Sequence, residues 1–152
     1  MSRSGFYEND DFDQDAMLAA GRTAGRIASA TRGARGQKFL RLALAALDGM
    51  EDKRLAGGTF GVDGGCMCLM TSIATQTGRA SAFTGVSLDD GQGVCHALSD
   101  AFNVAPVMVQ DLVWWNDENA PRDPALRWQY MRNKIARSLK PENVNATKES
   151  SE

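Results

Sequence analysis

Gln37-Lys-Phe-Leu-Arg-Leu-Ala-Leu-Ala-Ala-Leu-Asp-Gly-Met50 is the stretch that decides the fold. Phe39, Leu42, Ala43, Ala46, Leu47 and Met50 recur at helical spacing and form one wide apolar stripe. Lys38, Arg41 and Asp48 fall on the other side and look outward. A stripe of that width needs other elements to cover it, so the segment predicts a buried helix inside a helical assembly.

On the N-terminal side, Gly33 and Gly36 break the chain, and a helix over about 14–31 precedes them. Asp13 or Asp15 can cap it. Its apolar positions would be Met17, Ala20, Ala24, Ile27 and Ala28, with Arg22, Arg26 and Ser29 opposite. On the C-terminal side, residues 53–69 are glycine-rich, and Asp63-Gly64 is a turn signal. An irregular loop or one short β-hairpin near 55–65 is expected there. A helix follows over about 67–77. Asp89 or Asp90 can cap another that runs to about Phe102. Pro106 suits the first turn of the next helix, over about 106–118. The last helix, about 124–139, carries Trp128, Met131, Ile135 and Leu139 on one stripe, and Pro141 ends it. The expected fold is mainly α, a compact bundle of about five to six helices. Residues 1–12 read as a mobile polar arm bearing Phe6 and Tyr7, 13–140 as a single helical domain, and 141–152 as a polar, disordered tail.

Composition narrows the function classes. The 152 residues suit one domain, and a net charge of −2 gives no global field toward nucleic acid or membrane. No apolar run approaches a membrane span, and no signal peptide is expected behind the polar N-terminus. Three cysteines fit a reducing cytosol. The charge is nevertheless segregated. Glu8, Asp10, Asp11, Asp13 and Asp15 cluster, whereas residues 20–41 carry Arg22, Arg26, Arg32, Arg35, Lys38 and Arg41 without an acid. Residues 125–140 repeat the pattern with Arg127, Arg132, Lys134, Arg137 and Lys140. The six cations of residues 20–41 are a candidate electropositive patch for nucleic acid or an acidic protein surface. The plainer reading is a solvated face neutralised by the acidic arm or by neighbouring helices.

No catalytic constellation emerges. Cys66-x-Cys68 and Cys95-His96 supply four soft groups, but adjacent Cys-His ligands suit a zinc tetrahedron poorly. His96, the only histidine, sits about 100° around a helix from Cys95, so the two do not form a nucleophile–base pair. The glycine run at 57–65 lacks the Gly-Lys-Ser/Thr ending of a phosphate loop. The expectation is no enzyme, no metal and no cofactor.

Leu98-Ser-Asp-Ala-Phe-Asn-Val-Ala-Pro-Val-Met-Val-Gln-Asp-Leu112 resembles the helix-turn-helix of small phage-type repressors. Its second helix offers Gln110 beside Asp111, then Trp114, Trp115, Asn116, Asp117 and Glu118, a poor set for reading bases. Trp114 is expected on the outer side and Trp115 at least partly buried. With Asp11, Asp13, Asp117 and Glu118, Trp114 makes a candidate protein-contact surface.

Further stretches carry a wider resemblance: Ser2-Arg-Ser-Gly-Phe-Tyr7, Arg32-Gly-Ala-Arg-Gly-Gln-Lys-Phe-Leu-Arg41, Leu44-Ala-Ala-Leu-Asp-Gly-Met50 with Lys53-Arg54-Leu55, Asn116-Asp117-Glu118 and Trp128-Gln-Tyr-Met-Arg132. Taken in order they resemble a group of small helical proteins encoded by tailed phages and bacterial prophages. The resemblance implies a phage or prophage origin and a place in the bacterial host cytoplasm. It transfers no catalytic residue, and the chain departs from it over 56–100. The first expectation for function is therefore a non-enzymatic accessory protein that binds a host protein or ribonucleoprotein complex, with inhibition of a defence system such as CRISPR as the concrete version. The alternative is a nucleic-acid-binding regulator using the helix-turn-helix-like segment and the basic patch. A virion or assembly component is the third.

Overall fold

The computed structural model of the chain describes residues 14–60, 62–63 and 65–141, with side chains from Leu18 onward outside 61–64. Six α-helices build it: α1 Gln14–Arg32, α2 Ala34–Asp48, α3 Leu69–Gln76, α4 Gly91–Phe102, α5 Pro106–Trp114 and α6 Pro124–Ser138. A short antiparallel ribbon, β1 Val62–Asp63 with β2 Cys66–Met67, interrupts them. The fold is a mainly α bundle.

Local chemistry starts and stops the helices. The Asp90 carboxylate accepts from the Gly93 amide and caps α4, and Asp123 does the same for α6 through Leu126. Pro106 and Pro124 occupy first turns, where a missing N–H costs nothing. The Cys68 sulfur takes the capping role at α3, accepting from Thr71. Asn103 ends α4 in the left-handed region at φ 53°, a conformation asparagine tolerates better than most residues.

α2 packs against α1, α3 and α6. Its Phe39, Leu40, Ala43 and Leu47 share one buried cluster with Met70 and Ile73 of α3, Val94 and Leu98 of α4, Val109 and Val113 of α5, and Met131 and Ile135 of α6. Phe39 meets the Phe102 ring at 4.9 Å between centroids. Each of these large side chains contributes roughly 1.5–3 kcal/mol by leaving water.

Several expectations shift. The hairpin forms at 62–67, not 55–65: Val62 pairs with Met67 and Asp63 with Cys66, and Gly65 adopts φ 80°. Residues 55–56 instead run beside the ribbon, with the Ala56 amide donating to Met67 O at 2.9 Å. The stripe expected on α1 does not form a core face. Ala20 and Ala24 are exposed, Ile27 and Ala28 are half-buried, and the Met17 side chain lies outside the described residues. Alanines lose little by staying in water, so nothing draws the first half of α1 inward. α5 stops at Trp114, and Trp115–Asn119 continue as a wider π turn. On α6, Trp128 is half-buried while Arg127 enters the core. The arm at 1–12 and the tail from residue 142 lie outside the described residues.

Candidate functional site

The feature most open to a partner is the corner where α1 turns into α2. Only Gly33 separates the two helices, in an extended conformation. Gly36 then lies directly against α1, and a Cβ there would collide with the Ala30 carbonyl oxygen. Gln37 secures the turn from inside. It is 4% exposed; its Nε2 donates to Thr31 O (2.8 Å) and Ser138 O (3.0 Å), and its Oε1 accepts from the Lys140 amide (2.8 Å). One side chain thus ties the end of α1, the start of α2 and the end of α6. The Lys140 ammonium adds a bond to Arg32 O at 2.7 Å. The two basic segments therefore meet here.

Arg22, Arg26, Arg32, Arg35, Lys38 and Arg41 are all exposed. Arg22 and Arg26 are one turn apart, within about 40° around α1. Arg35, Lys38 and Arg41 follow one another along the outer side of α2 at three-residue steps. Arg35 is steadied by Asn103 Oδ1 at 3.1 Å. No acid occurs between Asp15 and Asp48. Arg22, Arg26, Arg32, Arg35 and Lys38 make no ion pair among the described residues. Beside this surface runs an open groove of about 550 Å3, with Arg26 and Arg35 on its rim and Ala30, Val104 and Val107 among its lining.

The second basic segment is used differently. Arg127 is 7% exposed, and its guanidinium donates to Asn116 O (3.0 Å), Leu55 O and Arg122 O (both 3.4 Å). Asn116, fully buried, donates from Nδ2 to Ala56 O at 3.0 Å. These bonds latch the 55–58 loop, the π turn and α6 together. Gly57 makes room for it: a Cβ there would stand 2.7 Å from Arg127 Nη2. Arg132 pairs with Asp48 through two bonds of 3.0 and 3.2 Å, which hold that carboxyl below its usual range. The Lys134 ammonium sits 3.7 Å from the Trp115 ring centroid, where burial lowers its pKa against the opposing pull of Asp111. Asp111 accepts from Trp115 Nε1 at 3.1 Å, and burial raises its pKa.

The other expected contact residues scatter. Trp114 is half-buried, edge-on to Trp115 at 5.3 Å. Asp117 turns inward and accepts from the Gly58 amide and from Asn116 Nδ2, both at 3.0 Å. Only Glu118 of that set is exposed, and Asp11 and Asp13 lie outside the described residues. Cys66, Cys68 and Cys95 are buried, and His96 is exposed. No group of three or more metal-capable side chains occurs among the described residues.

The segment resembling a helix-turn-helix does fold as α4, a three-residue turn and α5. None of the nine residues of α5 is exposed, and α1 packs along it, so α5 presents no open face to a DNA groove. Gln37, Gly36 and Lys140 were not anticipated as the pieces that assemble the surface. The usable signal is Gln37 itself, a polar residue three positions before Leu40 on the apolar side of α2. No helix among the described residues is long and apolar enough to cross a membrane. No protein-family model, curated protein or solved structure matches the chain.

Proposed function

We propose that this is a non-enzymatic binding protein that docks through its basic α1–α2 corner onto an acidic partner, a host protein or ribonucleoprotein complex. The carrying observation is that this corner is exposed and acid-free, while the cations of α6 are largely taken up by internal contacts. Six cations within twenty residues raise the potential over that surface and speed encounter with a negative partner. The resemblance to phage and prophage proteins favours a partner in the host, and inhibition of a defence complex such as CRISPR is the concrete version. The contact surface differs from the acidic one suggested by Trp114 and Asp117, because both side chains are engaged inside the chain.

The decisive experiment compares capture from bacterial lysate by the wild-type chain and by an Arg26→Glu/Arg35→Glu/Lys38→Glu variant. A partner retained by the first and lost by the second is expected. Equal recovery on both, with the variant still folded by circular dichroism, rejects the corner as the contact. Nuclease treatment separates a protein surface, which survives it, from nucleic acid, which does not.

The second reading is nucleic-acid binding through phosphates alone, favoured by the same exposed cations. It predicts steep loss of affinity for duplex DNA or RNA between about 50 and 200 mM salt, with no sequence preference. Base reading through α5 is disfavoured, because that helix is covered and carries no cation. A virion or assembly role has no structural feature in its favour.

A further inference from the structure

The groove beside the corner has a mixed character. Its rim carries two exposed guanidiniums, Arg26 from α1 and Arg35 from α2, and its lining includes Ala30, Val104 and Val107. No aromatic side chain lines it among the described residues. A nucleic-acid strand gains most from cations interleaved with stacking rings, and the rings are missing here. The lining suits an apolar side chain, and the rim suits the carboxylates beside it. The matching ligand is a peptide in which aromatic and acidic residues alternate closely.

The chain contains such a peptide. Phe6-Tyr-Glu-Asn-Asp-Asp-Phe-Asp13 holds three aromatics, four acids and no cation. It is joined directly to Gln14, the first residue of α1. We infer that the groove is a receptor for this segment of the same chain, which shields the basic corner until a stronger acidic partner displaces it.

Reach and concentration both permit the contact. Arg26 lies twelve residues along α1 from Gln14, about 18 Å at the helical rise. Eight extended residues span about 26 Å, so a segment folded back along α1 brings Phe6 and Tyr7 level with the groove. Glu8, Asp10 and Asp11 then pass Arg22 and Arg26 on the way. Tethering through so short a connection gives a local concentration in the millimolar range, so a weak contact is populated. The inference stands on the groove and the charges. It rests on the proposed function only for its consequence, competition with the partner.

The test is cleavage of the full-length chain at Asp10 and Asp11 by a protease that cuts before aspartate. The free peptide of residues 5–13 serves as the reference substrate. Cleavage of the wild-type chain should be about fivefold slower than in an Arg26→Glu/Arg35→Glu variant, the scale of two surface ion pairs. Ser29→Trp, which fills the groove and leaves both arginines, should also abolish protection. Equal rates in wild type and charge variant overturn the inference. So does protection that survives Ser29→Trp, because the contact would then be charge alone. Protection that grows with protein concentration overturns it too, since it places a second copy's segment in the groove. Should the glutamate variant melt early, Arg26→Gln/Arg35→Gln replaces it. No partner enters this assay, so its outcome is independent of the lysate experiment.

Discussion

Arg26 and Arg127 belong to two basic segments that look alike in composition, yet they meet opposite fates. Arg127 is held by three backbone carbonyls in the core, at the junction of a loop, a π turn and a helix. Arg26 stands on an exposed rim. The difference extends along both segments. On α6, Arg132 is spent on Asp48 and Lys134 on Trp115, whereas on α1 and α2 the cations face water. A buried arginine is tolerated because its fork can satisfy several carbonyls left without partners at chain turns. Charge count therefore overstates the surface available to a partner on one segment and describes it well on the other.

The sharpest way to break that comparison is Arg127→Ala. It leaves the carbonyls of Asn116, Leu55 and Arg122 without a donor inside the protein and should cost about 3 kcal/mol in urea unfolding. Arg26→Ala should change stability by less than about 0.5 kcal/mol. Similar costs for the two would remove the distinction. Next is Gly36→Ala, expected to cost about 2 kcal/mol by forcing α1 and α2 apart at the Ala30 carbonyl. Its counterpart is Gly25→Ala on exposed α1, where a Cβ meets nothing within 4 Å. That substitution should stabilise by roughly 0.5–1 kcal/mol through helix propensity, so the two thermal midpoints should move in opposite directions.

The smallest effect is a pH dependence. Hydrogen bonding from Arg132 depresses the folded-state pKa of Asp48, so the stability it contributes is present above the unfolded value and lost as pH falls through the depressed one. The pair is substantially exposed, so Asp48→Asn should cost under about 1 kcal/mol near neutral pH. The cost should fade as pH drops through the depressed folded-state value, where the carboxyl becomes protonated in both states. A pH-independent cost would mean that Asp48 acts through the α2 terminus and not through Arg132.

Much of this was legible in the residues. The α2 stripe, the Asp90 cap, Pro106 at its first turn and the α6 positions Met131 and Ile135 all fell where periodicity and capping chemistry put them. Those signals are local, within about one or two helical turns. The α1 stripe misled because alanine and glycine at helical spacing mark a helix without guaranteeing it a partner. Asp117 misled because its acceptor role depends on Gly58, 59 residues away.

The sequence by itself determined a mainly helical chain, the caps of its helices and the segregation of its charge, since each depends on neighbours in sequence. Only the tertiary structure decided which cations remain in water, that Gln37 joins the two basic segments, and that α1 covers the helix resembling a DNA reader. Those outcomes turn on contacts such as Gln37 to Ser138, 101 residues apart, where packing geometry and the need to satisfy buried polar groups choose among arrangements that local pattern leaves equal.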